Sequence, residues 1–199
     1  MKRKAVAAIL FFFIIISPLS AYKILYAEQF YKLYHEHLLR YPERILENIV
    51  WLEQALKSDF CNPLYALAAV DIKEKYPRYK YLFSMHVNLL IVKEYRKIAD
   101  KFTKHEAYFY NYPWKDQNID SLDLAEEFLK MAYFYWDESV RYSNLINGES
   151  YFFTELQNWE DENYRIQNGE LDYKFILDRD LQKIRDVRAA FEAMDENTY

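Results

Sequence analysis

Residues 76–102 read YPRYKYLFSMHVNLLIVKEYRKIADKF, and this stretch decides the fold class. Leu82, Met85, Leu89, Val92, Tyr95, Ala99 and Phe102 recur at steps of three and four, the spacing that lines up one face of an α-helix. Tyr76-Pro77 opens it, because the residue before a proline is pushed out of α geometry while proline suits a first turn. The same period and punctuation extend to both sides. Upstream, residues 22–40 predict a first helix. Tyr26, Phe30, Leu33, Tyr34, His37 and Leu38 face inward on it, with Glu28, Gln29, Lys32, His35 and Glu36 facing away. Tyr41-Pro42 ends that helix and places Pro42 in the first turn of a second, striped by Ile45, Leu46, Ile49, Leu52, Ala55 and Leu56. Asn62-Pro63 predicts a short third helix carrying Leu64, Leu67, Ala68 and Ile72.

Downstream, residues 107–118 (AYFYNYPWKDQN) break the pattern and read as a loop. Asp120 or Ser121 then caps a fifth helix with Leu124, Ala125, Phe128, Leu129, Ala132, Trp136 and Val140 on its stripe. Asn147-Gly148 closes it. A sixth helix is predicted over about 150–167 and a seventh over about 171–194, the latter burying Leu177, Leu181, Ile184, Phe191 and Met194. No segment alternates as a strand does. The expectation is an all-α protein of about seven antiparallel helices in helical hairpins, with residues 22–199 as one domain.

Glycine scarcity excludes much else. Only Gly148 and Gly169 occur, each after an asparagine, whereas tyrosine occurs 20 times. Phosphate-cradling loops and dinucleotide folds need glycines where φ is positive or a backbone must approach a ligand. In a helical chain the two Asn-Gly pairs read as helix C-caps.

The first residues read as an export leader. Lys2, Arg3 and Lys4 precede the apolar run AVAAILFFFIII at 5–16, and Ser17, Pro18, Ser20 and Ala21 follow. That is the layout of a signal peptide, residues 1–21, cleaved after Ala21. The alternative is an uncleaved inner-membrane anchor through residues 5–22, since 18 uncharged residues can span a bilayer. Either way the domain is expected in the periplasm or another extracytoplasmic space. Three of the 26 basic residues lie in the leader, leaving 23 against 31 acidic ones, a net charge of −8. Nucleic-acid phosphates and anionic lipid both call for a basic face, so neither is an expected partner. Cys61 is the lone cysteine. It forms no internal disulfide and reads as a small buried apolar residue.

Tyr-Pro recurs at 41–42, 76–77 and 112–113, close to the period of about 34 residues of a tetratricopeptide array. Trp51-Leu52-x-x-Ala55-Leu56, followed by Tyr65, parallels Phe128-Leu129-x-x-Ala132-Tyr133, followed by Tyr142. Over residues 30–145 the chain therefore resembles a tetratricopeptide-like repeat protein. The Leu-Gly pair of that motif's first helix is absent, and an irregular helical bundle accounts for the spacing equally well. An exported, tyrosine-rich helical protein of this kind also resembles the tetratricopeptide-like scaffolds of spirochaete periplasmic assemblies, including the flagellar motor collar. That likeness implies a protein partner in an envelope assembly.

No motif specifies a reaction, and no catalytic residue, metal or cofactor is expected. His35-Glu36-His37 is the most ligand-like cluster, yet side chains two apart on a helix diverge by about 200°. His86 reads as a satisfied core histidine, and Glu160, Asp161 and Glu162 as a solvated face. Aromatic runs are the strongest functional signal: Tyr108, Phe109, Tyr110, Tyr112 and Trp114 in the loop, Tyr133 to Trp136 in the fifth helix, and Tyr151 to Phe153. Four consecutive aromatics cover more than half a helix circumference, so some face outward or meet another layer. Tyr and Trp are enriched at interfaces; the alternative is that they fill the core. The expected partner-binding residues are Tyr108, Phe109, Tyr110, Tyr112, Trp114, Tyr133, Tyr135 and Trp136. The expected function is a non-catalytic extracytoplasmic interaction or scaffold module, the alternative a helical binding protein for a small apolar or aromatic ligand.

Overall fold

A computed structural model describes residues 23–70, 73–103, 111–148, 150 and 153–198. The leader, Ile72, Tyr108, Phe109, Tyr110, Tyr151 and Phe152 lie outside the described residues. The protein is all-α: helices α1 (Ala27–Arg40), α2 (Ile45–Lys57), α3 (Tyr76–Phe102), α4 (Lys115–Leu145), α5 (Thr154–Gln167) and α6 (Tyr173–Glu192). Among the described residues the only bridge of strand type is an isolated pairing of Tyr26 with Asp59.

Several boundaries differ from the sequence reading. Helix α1 starts at Ala27 and not at residue 22, and Pro42 lies in the turn before α2, which starts at Ile45, and not in its first turn. The segment after Asn62-Pro63 forms a single 3-10 turn, Pro63–Tyr65, and not a third α-helix. Asn62 does cap that turn, its side chain accepting from Leu64 N–H at 3.0 Å. The following backbone turns back, with Val70 N–H donating to Pro63 O at 3.1 Å, which ends any helical ladder. The fifth predicted helix starts earlier than Asp120: α4 runs back to Lys115 from a 3-10 turn at Tyr112–Trp114. Ser121 is not a cap, because its hydroxyl donates to Phe102 O at 3.3 Å, at the end of α3.

Residues 82–89 of α3 are buried all round, as in a helix with neighbours on every side. One face of α3 meets α4, antiparallel to it, through pairs such as Tyr95 with Phe128 and Phe102 with Phe128, centroids 6.3 and 5.7 Å apart. Ser139 on α4 donates to Met85 O at 3.0 Å. The opposite face, Phe83, Val87 and Ile91, is equally buried. Phe83 meets Tyr31 of α1 at 5.5 Å and Trp159 of α5 at 5.8 Å. Helix α6 runs back along α4, where Trp136 meets Tyr173 at 5.7 Å. In a solenoid each repeat touches only its neighbours. Here Tyr31 of α1 also meets Trp159 of α5 at 5.9 Å, so the helices form a bundle around α3.

Glu28 points inward, contrary to its expected outward place, and is only 3% exposed. Its carboxylate accepts from Cys61 N–H at 3.1 Å and Tyr79 O–H at 3.2 Å. These bonds satisfy a group that would be costly to bury alone, and they tie α1 to α3 through the Cys61 turn. Burial, with the Glu28 charge beside it, pushes the Cys61 thiol up to about 12. A thiol held protonated is a poor nucleophile.

The two glycines play different parts. Gly169, with φ of 71°, follows α5 and closes it. Gly169 N–H donates to Ile166 O and Glu170 N–H to Arg165 O, at 3.1 and 2.8 Å, the paired bonds of a Schellman cap. A Cβ at this position would meet nothing within 4 Å, so only backbone strain opposes substitution. Gly169→Ala should therefore cost about 1–2 kcal/mol, read as a lowered urea midpoint. An unchanged midpoint would mean that the turn relaxes out of the left-handed region. Gly148 is not a C-cap: it lies three residues beyond Leu145, and its carbonyl faces Arg78.

Candidate functional site

Three helices that meet at an angle leave a gap where their side chains fail to close it. Between α1, α3 and α6 that gap is a half-open groove of about 620 Å³. Leu38, Leu90, Leu129 and Val187 contribute apolar surface to it, and Tyr34 comes in from α1. Charged side chains line the rest: Lys93, Arg96, Lys97, Arg179 and Lys183 against Glu94, Asp100 and Asp180.

Most of these charges are already matched. Arg96 donates twice to Asp180 Oδ2, at 2.9 and 2.8 Å, joining α3 to α6. Lys93 reaches Glu162 at 3.3 Å. Lys97 donates to Glu94 Oε1 at 2.6 Å, and the Tyr34 hydroxyl donates to the same oxygen at 3.3 Å. Burial first, then the neighbouring Glu94 charge, raises the Tyr34 phenol well above its ordinary range, so it remains a donor. Glu94 is 1% exposed, and its second oxygen, Oε2, is buried and accepts no hydrogen bond among the described residues. A buried acceptor without a partner costs about 1–3 kcal/mol. Glu94 lines the groove and carries this unfilled acceptor. Sequence reading missed it. Its one signal is that Glu94 interrupts the second apolar stripe of α3, formed by Phe83, Val87, Ile91 and Ile98.

A second polar cluster lies where α5 crosses α3. Arg78 is 8% and Glu160 6% exposed. Arg78 forms a two-pronged pair with Glu160 at 2.9 and 2.5 Å, and its remaining donor reaches the carbonyls of Asn147 and Gly148 at 3.1 and 3.0 Å. Next to it, His86 is bonded on both ring nitrogens, to Glu162 at 2.5 Å and to the Tyr31 hydroxyl at 3.1 Å. His86 is the satisfied core histidine that its position predicts. Burial alone would raise the Glu162 carboxyl, but the bonds and charges of His86 and Lys93 together hold it below its ordinary value. Glu160 and Glu162 are therefore structural carboxylates, not a solvated face. Only Asp161 of that trio is exposed.

The aromatic residues separate into two groups. Tyr135 and Trp136 are interior, 8% and 6% exposed. Tyr135 donates to Glu53 of α2 at 2.8 Å. Tyr133 is half-buried, and its hydroxyl donates to Asp178 of α6. Phe134 alone of this run faces outward. Tyr112 and Trp114 are exposed, but they lie at the other end of α4, about 27 Å along the helix from Tyr133 at 1.5 Å per residue. The structure does not bring them onto one surface with Tyr133. His35 and His37 part as helix geometry demands: His37 bonds Asn48 and Glu47 at 2.7 and 2.9 Å, while His35 is exposed and packs edge-on against Tyr31 and Tyr34. Among the described residues no three His, Cys, Asp or Glu side chains are grouped to hold a metal ion, and no helix is long and apolar enough to cross a membrane.

Residues 74–194 match the family described as domain of unknown function (DUF8513). The chain belongs to this family. The DUF8513 region spans α3 to α6, so it contains both partners of the Arg78–Glu160 pair and every groove residue except Tyr34 and Leu38. Hairpin α1–α2 precedes the region, and its α1 lines one side of the groove through Tyr34 and Leu38. No curated protein and no solved structure matches the chain.

Proposed function

We propose that the protein is a non-catalytic helical binding module, exported from the cytoplasm, that holds a small amphiphilic ligand in the groove between α1, α3 and α6. The groove itself carries this reading. Its volume of about 620 Å³ falls within the 300–1,000 Å³ typical of small-molecule sites. It combines apolar walls with a few fixed polar groups, as such sites do. The export assignment rests on the leader at residues 1–21.

A scaffold role in an envelope assembly such as a flagellar collar is the second reading. The exposed Tyr112 and Trp114 support it, whereas Tyr135 and Trp136 are committed to the interior. Crosslinking in the cell envelope followed by mass spectrometry distinguishes the two.

Val187 is half-buried at the groove, where an indole would occupy the space. Native mass spectrometry of the purified protein should show a non-covalent adduct that Val187→Trp lacks, with the circular-dichroism spectrum unchanged. A bare wild-type mass, together with a stoichiometric crosslinked protein, would transfer the assignment to the scaffold reading.

A further inference from the structure

The groove differs in charge from the molecule around it. The chain carries a formal net charge of −5, yet the groove is lined by five basic and three acidic side chains. Two of the basic groups on α6 are not spent on internal pairs. Lys183 has no ion pair among the described residues, and Arg179 has only a 3.9 Å approach to Asp180, whose Oδ2 is already held by Arg96. Both are exposed, one turn apart on α6. Residues at i and i+4 project from the same face of a helix, so the two cations form one fork above the apolar walls. At the floor, Glu94 is the opposite case. Lys97 already balances its charge, so what Oε2 lacks is not a cation but a neutral donor, an O–H or an amide N–H.

Given the binding role assigned above, we propose that the ligand is an anionic amphiphile: an apolar chain carrying a hydroxyl or amide donor and ending in a carboxylate, phosphate or sulfate. The chain lies along Leu38, Leu90, Leu129 and Val187, the donor reaches Glu94 Oε2, and the anionic head meets Arg179 and Lys183. Oε2 is buried in the ligand-free protein, so the ligand's donor reaches it only when the side chains packed over that oxygen move aside. The N-acyl amino acids have all three parts.

The test uses the whole protein and N-decanoylglycine as probe, with its methyl ester as control, below their micelle range and at low salt. Binding is measured by titration calorimetry. The acid should bind at least about tenfold more tightly than the ester. That advantage should shrink with added salt and vanish in the Arg179→Gln/Lys183→Gln protein. Both changes are on exposed side chains, so the ligand-free melting temperature should hold. Decanoate, which has the charge but no N–H, should bind less well than N-decanoylglycine.

An ester that binds as tightly as the acid, with both excluded by Val187→Trp, would overturn the anionic head while leaving the groove as the binding site. Decanoate binding as tightly as N-decanoylglycine would remove the role given to Glu94. If none of the three binds, this inference and the small-ligand reading fall together.

Discussion

Replacing Arg78 by methionine should lower stability by about 3–5 kcal/mol, the cost of leaving one partner of a buried ion pair uncompensated. The effect is this large because one guanidinium has two tasks. It neutralises Glu160, itself 6% exposed, and it satisfies the carbonyls of Asn147 and Gly148 in the α4–α5 connection. Methionine would fill much of the volume but offers no donor. Lysine keeps the charge yet cannot reproduce the planar fork, so Arg78→Lys should fall between wild type and Arg78→Met. The double variant Arg78→Met/Glu160→Leu should recover part of the loss, because replacing both charged partners by apolar groups removes the stranded carboxylate. Urea denaturation of the four proteins measures this. Arg141 pairs with Glu138 on an exposed surface of α4 and serves as control, since such pairs contribute only about 0–1 kcal/mol. If Arg78→Met cost no more than Arg141→Ala, the buried pair would not be what holds α5 on α3.

Trp159→Ala should cost about 3–5 kcal/mol, the usual range for truncating a buried tryptophan. Trp159 is 3% exposed. It fills the space among Tyr31, Tyr79, Phe83 and His86, whose ring centroids lie 5.9, 6.1, 5.8 and 5.1 Å away. Removing the indole opens a cavity where α1, α3 and α5 converge. It also strips the packing that orients the two hydrogen bonds of His86. Calorimetry should show a lower melting temperature. Tyr164, exposed on the same helix, provides the comparison: Tyr164→Ala should change stability by no more than about 0.5 kcal/mol. Equal effects at the two positions would show that α5 is peripheral and not locked by its aromatic anchor.

Together the two predictions locate the stability of the family region at one crossing. Arg78 bonds Glu160, the residue after Trp159, and Trp159 packs on Tyr79, the residue after Arg78, so the two substitutions should not be additive. The groove lies along the same α3 helix on the α6 side, and α1, outside the region, reaches both. Packing of α1 on Trp159 through Tyr31 and onto Glu94 through Tyr34 gives that hairpin a part in shaping the site.

The all-α class was legible from residues 76–102, because the apolar residues of one helix face recur every three to four positions, even though this helix is buried on its other side as well. The proline punctuation located the start of α3 for the same local reason, and Gly169 marked the end of α5. The third predicted helix failed because a cap and a proline are permissive signals. They start a turn, but a helix continues only where packing sustains it. What the sequence could not disclose was which polar residues go inside. Glu28, Glu94, Glu160 and Glu162 look alike as letters, and each was destined for solvent by its charge. Their burial depends on partners 33 to 82 positions away: Cys61 for Glu28, Tyr34 for Glu94, His86 for Glu162 and Arg78 for Glu160. Likewise the run Tyr133 to Trp136 announced that its aromatics needed company, but only the placement of α2 and α6 decided that Tyr135 and Trp136 are interior and Phe134 is not. The groove is tertiary throughout. It exists because three helices far apart in the chain meet without closing, and spacing along any one of them carries no record of that gap.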